Sequence, residues 1–380
     1  MNKFSVCHLS KFYKPFSGGI ESVVADIAEG SRFCSVSVIA ADQAGLPVRE
    51  TINSVRVIRS KEYLNIAKVS IAPRYVADVL RECNGQILHV HLPNPLAIIS
   101  LMVAKILGKD ITRLVIHWHS DVVKQKFLKV LFSPFETWML LKSQRIIVTS
   151  QRYLDASQSL SKFREKCVVV PIGISPLNEG IDLKKVHALK HKYSEKKIIF
   201  ALGRHVYYKG FEDLIQASKY VDDAVFIIGG SGPDTEKYRS QIVASGLEGK
   251  VNLVGRISDT DLPSYYAAAD VFCLPSNEKS EAFGVVQLEA MSLGIPVVSA
   301  DIIGSGVPWV NTHMESGLVF EPNNVESLAA ALNLIINDSL LRQDLAIGAK
   351  RRFAKYFTKE RSIEAINSVY KNCLKIKNKL

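Results

Sequence analysis

Two carboxylates, Glu281 and Glu289, stand eight residues apart with Phe283-Gly284 between them. The run after Gly284 has helical character. It stops at Gly294, with Pro296 and the apolar run Pro296-Val-Val-Ser-Ala300 beyond it; glycine just past a helix and proline soon after are ordinary stop signals. If Gly284 opens the helix, Glu281 falls in the loop before it and Glu289 lies on it. At about 1.5 Å per helical residue the two carboxylates are roughly 10–12 Å apart. That is too far to share one proton. It is about the length of a sugar, a diphosphate and a ribose in line, which makes a nucleotide-sugar the ligand to test against the rest of the chain.

A diphosphate needs cations and close backbone. Gly203-Arg204-His205-Val-Tyr-Tyr-Lys209-Gly210 begins at the end of an apolar strand and runs into a helix. Arg204 and Lys209 bracket this loop, and two cations there suit a diphosphate whose charge grows as it departs. The competing reading is a pair of surface cations beside a turn. Gly18-Gly19 also join a strand to a helix, where bare backbone can approach a phosphate and helix amides favour anions; a tight turn explains them equally well. Their spacing is neither a dinucleotide fingerprint nor a P-loop. Gly255-Arg256-Ile257 follows another strand and offers backbone and the Ile257 side chain to a base. Gly304-Ser-Gly306 is a further turn at the same edge, read as flexible. In His117-Trp118-His119-Ser120-Asp121, His119 is nearer the strand end and is taken as functional, with His117 assigned to the core. Asp121, Lys124, Lys126 and Lys129 give it polar company. There is no Asp-x-Asp, so no metal is expected.

These residues require a particular scaffold. Short β-like runs alternate with helical stretches from end to end, which argues for parallel sheets covered by helices on both faces. The first series runs from Phe4–Leu9 to Val168–Pro171, with a helix near Pro134–Leu141. A break follows at Ile172–Gly180, rich in turn residues, then a lysine-rich lead-in to Lys197. A second series runs from the strand Lys197–Leu202 to the helix Val325–Ile336. The expected domains are 1–175 and 176–357, two doubly wound sheets with ligand bound in a cleft at the strand ends. The segment Leu341–Lys379 is helical in pattern. Thr358 caps its last helix, on which Ile363, Ile366, Val369 and Tyr370 form one apolar stripe.

Length and composition set the class. The 380 residues are 47% hydrophobic and 22% charged, the profile of a globular protein with room for two cores. The six cysteines are dispersed with no Cys-x-x-Cys pair and read as reduced thiols. The longest apolar run, Leu96–Ala104, is far short of the ~20 residues a membrane span requires, and no signal peptide is expected. The net charge of +11 is concentrated: residues 1–170 hold 23 Lys+Arg against 13 Asp+Glu, leaving 25 against 24 beyond them. With no nucleic-acid module apparent, the expected partner of the basic half is an anionic membrane surface.

Taken together, Gly18-Gly19, His119, Gly203-Arg204 with Lys209-Gly210, and Glu281 to Glu289 around Phe283-Gly284 resemble the retaining glycosyltransferases of family 4. Nearly the whole chain is covered. The runs His119–Lys126 and Ser280–Gly284 look most like bacterial enzymes of O-antigen and surface-polysaccharide assembly, particularly mannosyltransferases. The resemblance implies the GT-B fold, two Rossmann-like domains facing across a cleft, with an acceptor-binding first domain and a last helix (about 358–380) packed back on it. It implies that Arg204 and Lys209 hold the donor diphosphate, that Glu281 meets the sugar hydroxyls beside the Phe283-Gly284 backbone, and that Glu289 binds the ribose. Gly19 would let its loop close on the diphosphate, and His119 would lie near sugar and acceptor. No metal or other cofactor is implied. The implied donor is GDP-mannose and the implied acceptor a saccharide on polyprenyl diphosphate, at the inner face of the cytoplasmic membrane. The loop Gly304–Trp309 departs from commoner family patterns. A UDP-sugar donor is the alternative; an epimerase or hydrolase, or a non-catalytic sugar-nucleotide binder, would use the same scaffold differently.

Overall fold

The computed structural model describes residues 4–375 apart from 17, 43–44, 47, 67–68, 83–84, 122–125 and 194–195. Lys124, Cys83, Lys377 and Lys379 therefore lie outside the described residues. The chain divides into two units, Met1–Ile172 with Lys359–Leu380, and Gly173–Thr358.

The first unit contains strands β1 (Ser5–Leu9), β2 (Ser35–Asp42), β3 (Arg49–Ile52), β4 (Val55–Lys61), β5 (Leu64–Ile66), β6 (Val69–Ile71), β7 (Ile87–Leu92), β8 (Leu114–Trp118), β9 (Arg145–Val148) and β10 (Cys167–Val169). Its helices are α1 (Gly19–Gly30), α2 (Pro73–Glu82), α3 (Pro95–Ile106), α4 (Lys126–Lys142) and α5 (Gln151–Ala156). Eight strands form one sheet in the order β10-β9-β8-β7-β1-β2-β4-β3, parallel except for the β3–β4 pair. The central strands are buried along their whole length, as β7 is. That is why they read as continuous apolar runs rather than alternating ones. Asn94 caps α3 by accepting from the Ala97 amide at 3.2 Å, with Pro95 at its first position, a standard start.

The second unit holds β11 (Lys197–Leu202), β12 (Ala224–Gly229), β13 (Val251–Gly255), β14 (Val271–Leu274), β15 (Val297–Ala300) and β16 (Gly317–Phe320). They form an all-parallel sheet in the order β13-β12-β11-β14-β15-β16. Around it run α6 (Leu183–Lys192), α7 (Phe211–Ala217), α8 (Thr235–Ala244), α9 (Leu262–Ala268), α10 (Val285–Ser292), α11 (Val307–Val310), α12 (Val325–Asn337) and α13 (Ser339–Tyr356). Strand order reverses around β11, so the loops after β11 and β14 are where an open α/β sheet binds ligand.

Helix α14 (Lys359–Lys375) belongs to the first unit. Lys359 bonds Asp26 at 2.5 Å. Ile363 fills the space where a side chain on Gly30 would stand, and Ile366, Val369 and Tyr370 are buried.

The elements differ from expectation at several places, and β3 and α11 are further elements that the sequence reading did not place. Pro134 lies inside α4 rather than opening it. The C-terminal segment divides near Thr358, as expected: Asp338 caps α13, and α14 begins at Lys359. The β5–β6 hairpin and the short helix α5 have too few residues to show a period. Cys7, Cys273 and Cys373 are buried free thiols, and no helix among the described residues is long and apolar enough to cross a membrane.

Candidate active site

In the second unit three strand ends are laced by backbone bonds. The Gly203 amide donates to Gly229 at 3.2 Å, and the Gly230 amide to Gly255 at 2.7 Å. A side chain on Gly230, whose φ is +112°, would meet the Gly203 carbonyl oxygen at 1.9 Å. Only glycine allows that approach. The lacing fixes where Arg204 leaves β11 and where Ile257 leaves β13; the Ile257 side chain lies against the bare Cα of Gly229. The Gly229-Gly230-Ser231-Gly232 turn after β12 is a part of this edge that sequence reasoning missed.

The loop after β11 then turns through Tyr207–Lys209 to Gly210, which is left-handed at φ +66°. A Cβ on Gly210 would sit 2.0 Å from the Pro275 carbonyl oxygen, so this turn seats the loop against the end of β14. Lys209 is carried back toward Gly203, whose missing side chain leaves a lane for the lysine stem at 3.2 Å. Its Nζ reaches Glu281 Oε2 at 2.5 Å, and both side chains are only 12% exposed. Burial pulls the ammonium toward neutrality, but Glu281 outweighs it and the lysine is held more firmly protonated than usual. Arg204 is exposed, and no carboxylate among the described residues pairs with it.

Glu281 is held from several sides. Ser276 donates to its Oε2 at 3.0 Å, its amide donates to Glu278 at 2.9 Å, and the Ser305 hydroxyl donates to its carbonyl. The Gly306 amide donates to Ala282 at 2.8 Å. The Gly304-Ser-Gly306 turn, expected to be flexible, is thus a backing for the Glu281 loop, with Ser305 fully buried. Phe283 is 3% exposed and packs edge-on to Phe357, so at this position only backbone can face a ligand. Gly284 caps α10 at φ +73°, where a side chain would strike Leu274 and Gln287. Glu289 lies on α10 and receives the Tyr266 hydroxyl at 2.6 Å. Burial pushes its carboxyl up to about 7, against the lowering influence of that bond. Ser276, Ser305 and Tyr266 had no sequence signal; they are identified by the carboxylates they hold.

In the first unit, Gly18 precedes α1 in extended conformation and Gly19 opens it. A Cβ on Gly19 would meet nothing within 4 Å, so packing does not require glycine there. His119 lies just past β8, 7% exposed, with Nε2 3.0 Å from His91 Nδ1. Burial lowers its pKa to about 3, so the ring is neutral at ordinary pH. Asp121 accepts from Trp118 Nε1 at 3.1 Å and Ser157 at 3.0 Å, whereas His119 stacks on His117 with ring centroids 4.2 Å apart. Residues two apart on a strand share a face, so His117 and His119 act on the same side of the sheet. Lys126 and Lys129 lie in a part of α4 where only the backbone is described.

Two parallel-sheet units in one chain, the second carrying Arg204, Lys209, Glu281 and Glu289, make up the architecture of GT-B glycosyltransferases. Residues 17–176 match the pattern "Glycosyltransferase Family 4" and residues 184–352 the pattern "Glycosyl transferases group 1". The two patterns together span most of the chain, which is a glycosyltransferase. It is 29% identical to O-antigen chain mannosyltransferase C of Escherichia coli, over 98% of this chain and all of that one. It is 30% identical to D-rhamnosyltransferase WbpZ of Pseudomonas aeruginosa over 64% of this chain and 63% of that one. Among solved structures, sucrose-phosphate synthase from Thermosynechococcus elongatus superposes with a TM-score of 0.81 at 20% identity, covering 99% of this chain and all of that one. An Anabaena protein solved with UDP and glucose gives 0.79, also at 20% identity, over 97% of this chain and all of that one. The structural likeness establishes the fold.

Proposed function

We propose that the protein transfers mannose from GDP-mannose to a saccharide carried on polyprenyl diphosphate, with retention of anomeric configuration, during assembly of a bacterial surface polysaccharide. The observation that carries the choice of sugar is the end-to-end similarity to an O-antigen mannosyltransferase. Arg204 and Lys209 meet the diphosphate, and Lys209 arrives already protonated through Glu281. Glu281 accepts from the sugar hydroxyls, and Glu289 accepts from the ribose hydroxyls when ionised. Gly18-Gly19 offers bare backbone to a phosphate, Gly255 and Ile257 border the base, and the neutral His119 accepts or donates one hydrogen bond near the sugar. As the glycosidic bond to the donor phosphate breaks, charge gathers on the departing oxygen. The two cations stabilise it there, and the acceptor hydroxyl attacks from the same face and passes its proton to that oxygen. Added Mg2+ or Mn2+ then has no task, and turnover should stay within about twofold across a titration of either; an absolute requirement would remove the two-cation account.

The enzyme would work at the membrane surface. On α3 and α4 of the basic unit, Ile99, Ile106, Leu107, Phe135 and Leu141 are exposed apolar side chains, beside the exposed Lys105 and Lys142. Anionic lipid attracts such lysines by about 1 kcal/mol each.

The donor is tested by thermal shift with GDP-mannose, UDP-glucose, UDP-N-acetylglucosamine, UDP-galactose and dTDP-rhamnose. GDP-mannose and GDP should stabilise the protein most. Stabilisation by a UDP-sugar and not by GDP-mannose would replace the donor with the UDP alternative.

A further inference from the structure

Five histidines from three adjacent strands form a buried stack in the first unit. β1 supplies His8, β7 supplies His89 and His91, and β8 supplies His117, with His119 just beyond it. The parallel register sets His8 beside His89 and His91 beside His117. Two-residue spacing puts each His-x-His pair on one face. All five are at most 7% exposed, and neighbouring rings lie 4.2–5.5 Å apart. Val, Ile and Leu make up most of the rest of these strands, with Ser5, Cys7 and Trp118, so five imidazoles here are not ordinary core.

Their nitrogens are poorly satisfied. His8 Nδ1 lies 2.9 Å from His91 Nε2, and His91 Nδ1 lies 3.0 Å from His119 Nε2. His89 Nδ1 lies 2.6 Å from the Tyr370 hydroxyl of α14. His8 Nε2, His89 Nε2 and both nitrogens of His117 are buried with no hydrogen-bond partner. Dry, unpartnered polar atoms cost free energy and are rare unless something else engages them. Neutral imidazole is the form that binds metal.

We propose that His8, His89 and His91 hold one zinc-type divalent ion that ties β1, β7 and, through Tyr370, α14 together. Each of the three offers a ring nitrogen, and these lie within 4.8 Å of one another. A tetrahedral site with Zn–N of about 2.0–2.1 Å sets its nitrogens roughly 3.3 Å apart, so the 2.9 Å pair need only open by a few tenths of an ångström. All-nitrogen donors select zinc, cobalt, nickel or copper over magnesium and calcium. Two of the three ligands have outer support, Tyr370 at the far nitrogen of His89 and His119 at that of His91, while the far nitrogen of His8 has no partner. A second trio, His91, His117 and His119, also brings its nitrogens together, but it shares His91. Neutral imidazole has one lone pair, so only one trio is filled at a time. The His117 and His119 rings have no such outer support.

The test uses the untagged full-length chain, stripped of metal and titrated with Zn2+ and with Co2+ while visible absorption is read. One ion per chain, tetrahedral Co2+ bands and a melting point raised by roughly 5–10 °C at a hundredfold excess over Kd are expected. His89→Gln and His8→Gln should lose the ion, and His117→Gln should keep it. Zinc-edge X-ray absorption on the unmutated protein should count three imidazoles, which keeps the test independent of how the variants fold. Binding well below stoichiometric, oxygen-only coordination, or binding unchanged in His8→Gln and His89→Gln would overturn the proposal. None of these readouts depends on the donor sugar.

Discussion

The contact between Lys209 and Glu281 sets the chemistry at the residue scale. At 12% exposure each, little solvent screens the pair, and removing one partner strands the other. Lys209→Met should lower stability by about 3 kcal/mol and turnover by roughly 10²-fold, read by urea unfolding and single-turnover assay. Arg204→Ala, exposed at the same edge, should lose similar turnover with stability within about 0.5 kcal/mol. Equal losses of stability in both variants would mean that neither acts on substrate. Glu289 supplies a pH signature. Its carboxyl is raised to about 7, and in the proposed role only the ionised form can accept from both ribose hydroxyls. GDP affinity should therefore rise with pH through about 7 and weaken by up to about tenfold at pH 6. Tyr266 donates the bond that lowers this carboxyl, so Tyr266→Phe should move the midpoint up, and Glu289→Gln should flatten the profile. Calorimetric titration of GDP against pH checks all three. Arg204, Lys209, Glu281 and Glu289 are conspicuous in the sequence by type and spacing. The direct Lys209–Glu281 pairing was not legible, since it joins residues 72 apart in sequence through a glycine turn. The histidine cluster was readable in principle. His89-x-His91 lies on a strand and His117-x-His119 at the end of one, but a search for metal ligands among carboxylates passes over them.

At the scale of elements, glycines separate scaffold from function. Gly210 is required by backbone: φ is +66° and the Pro275 oxygen lies 2.0 Å from where a Cβ would stand. Gly210→Ala should cost roughly 3 kcal/mol or more and appear as a lower melting temperature. Gly19 faces open space, so Gly19→Ala should leave the melting temperature nearly unchanged while cutting transfer at least about tenfold if its bare backbone meets phosphate. Full activity in Gly19→Ala would make that turn merely a turn. The sequence periodicity located the sheet strands of the second unit closely because buried parallel strands are continuous apolar runs bounded by turns. It failed where local signals conflict. Pro134 within α4 looks like a helix start.

For the whole molecule, the uneven charge is the informative quantity, with most of the +11 carried by residues 1–170. Flotation with vesicles should show binding that needs anionic lipid, weakens as salt rises from about 0.05 to 0.5 M, and falls when Ile106 and Leu107 are both changed to Ser. Binding to neutral vesicles alone would contradict the electrostatic part of this reading. The GT-B architecture was legible from alternation and motif order, whereas the donor sugar rests on similarity to relatives and needs chemistry to fix it. The most direct measurement is product analysis after reaction of GDP-[1-13C]mannose with a polyprenyl-diphosphate-linked saccharide. The one-bond C1–H1 coupling of the new linkage reports its configuration. An α-mannoside formed from the α-configured donor is the predicted result; a β-mannoside, or transfer only from a UDP-sugar, would contradict the account.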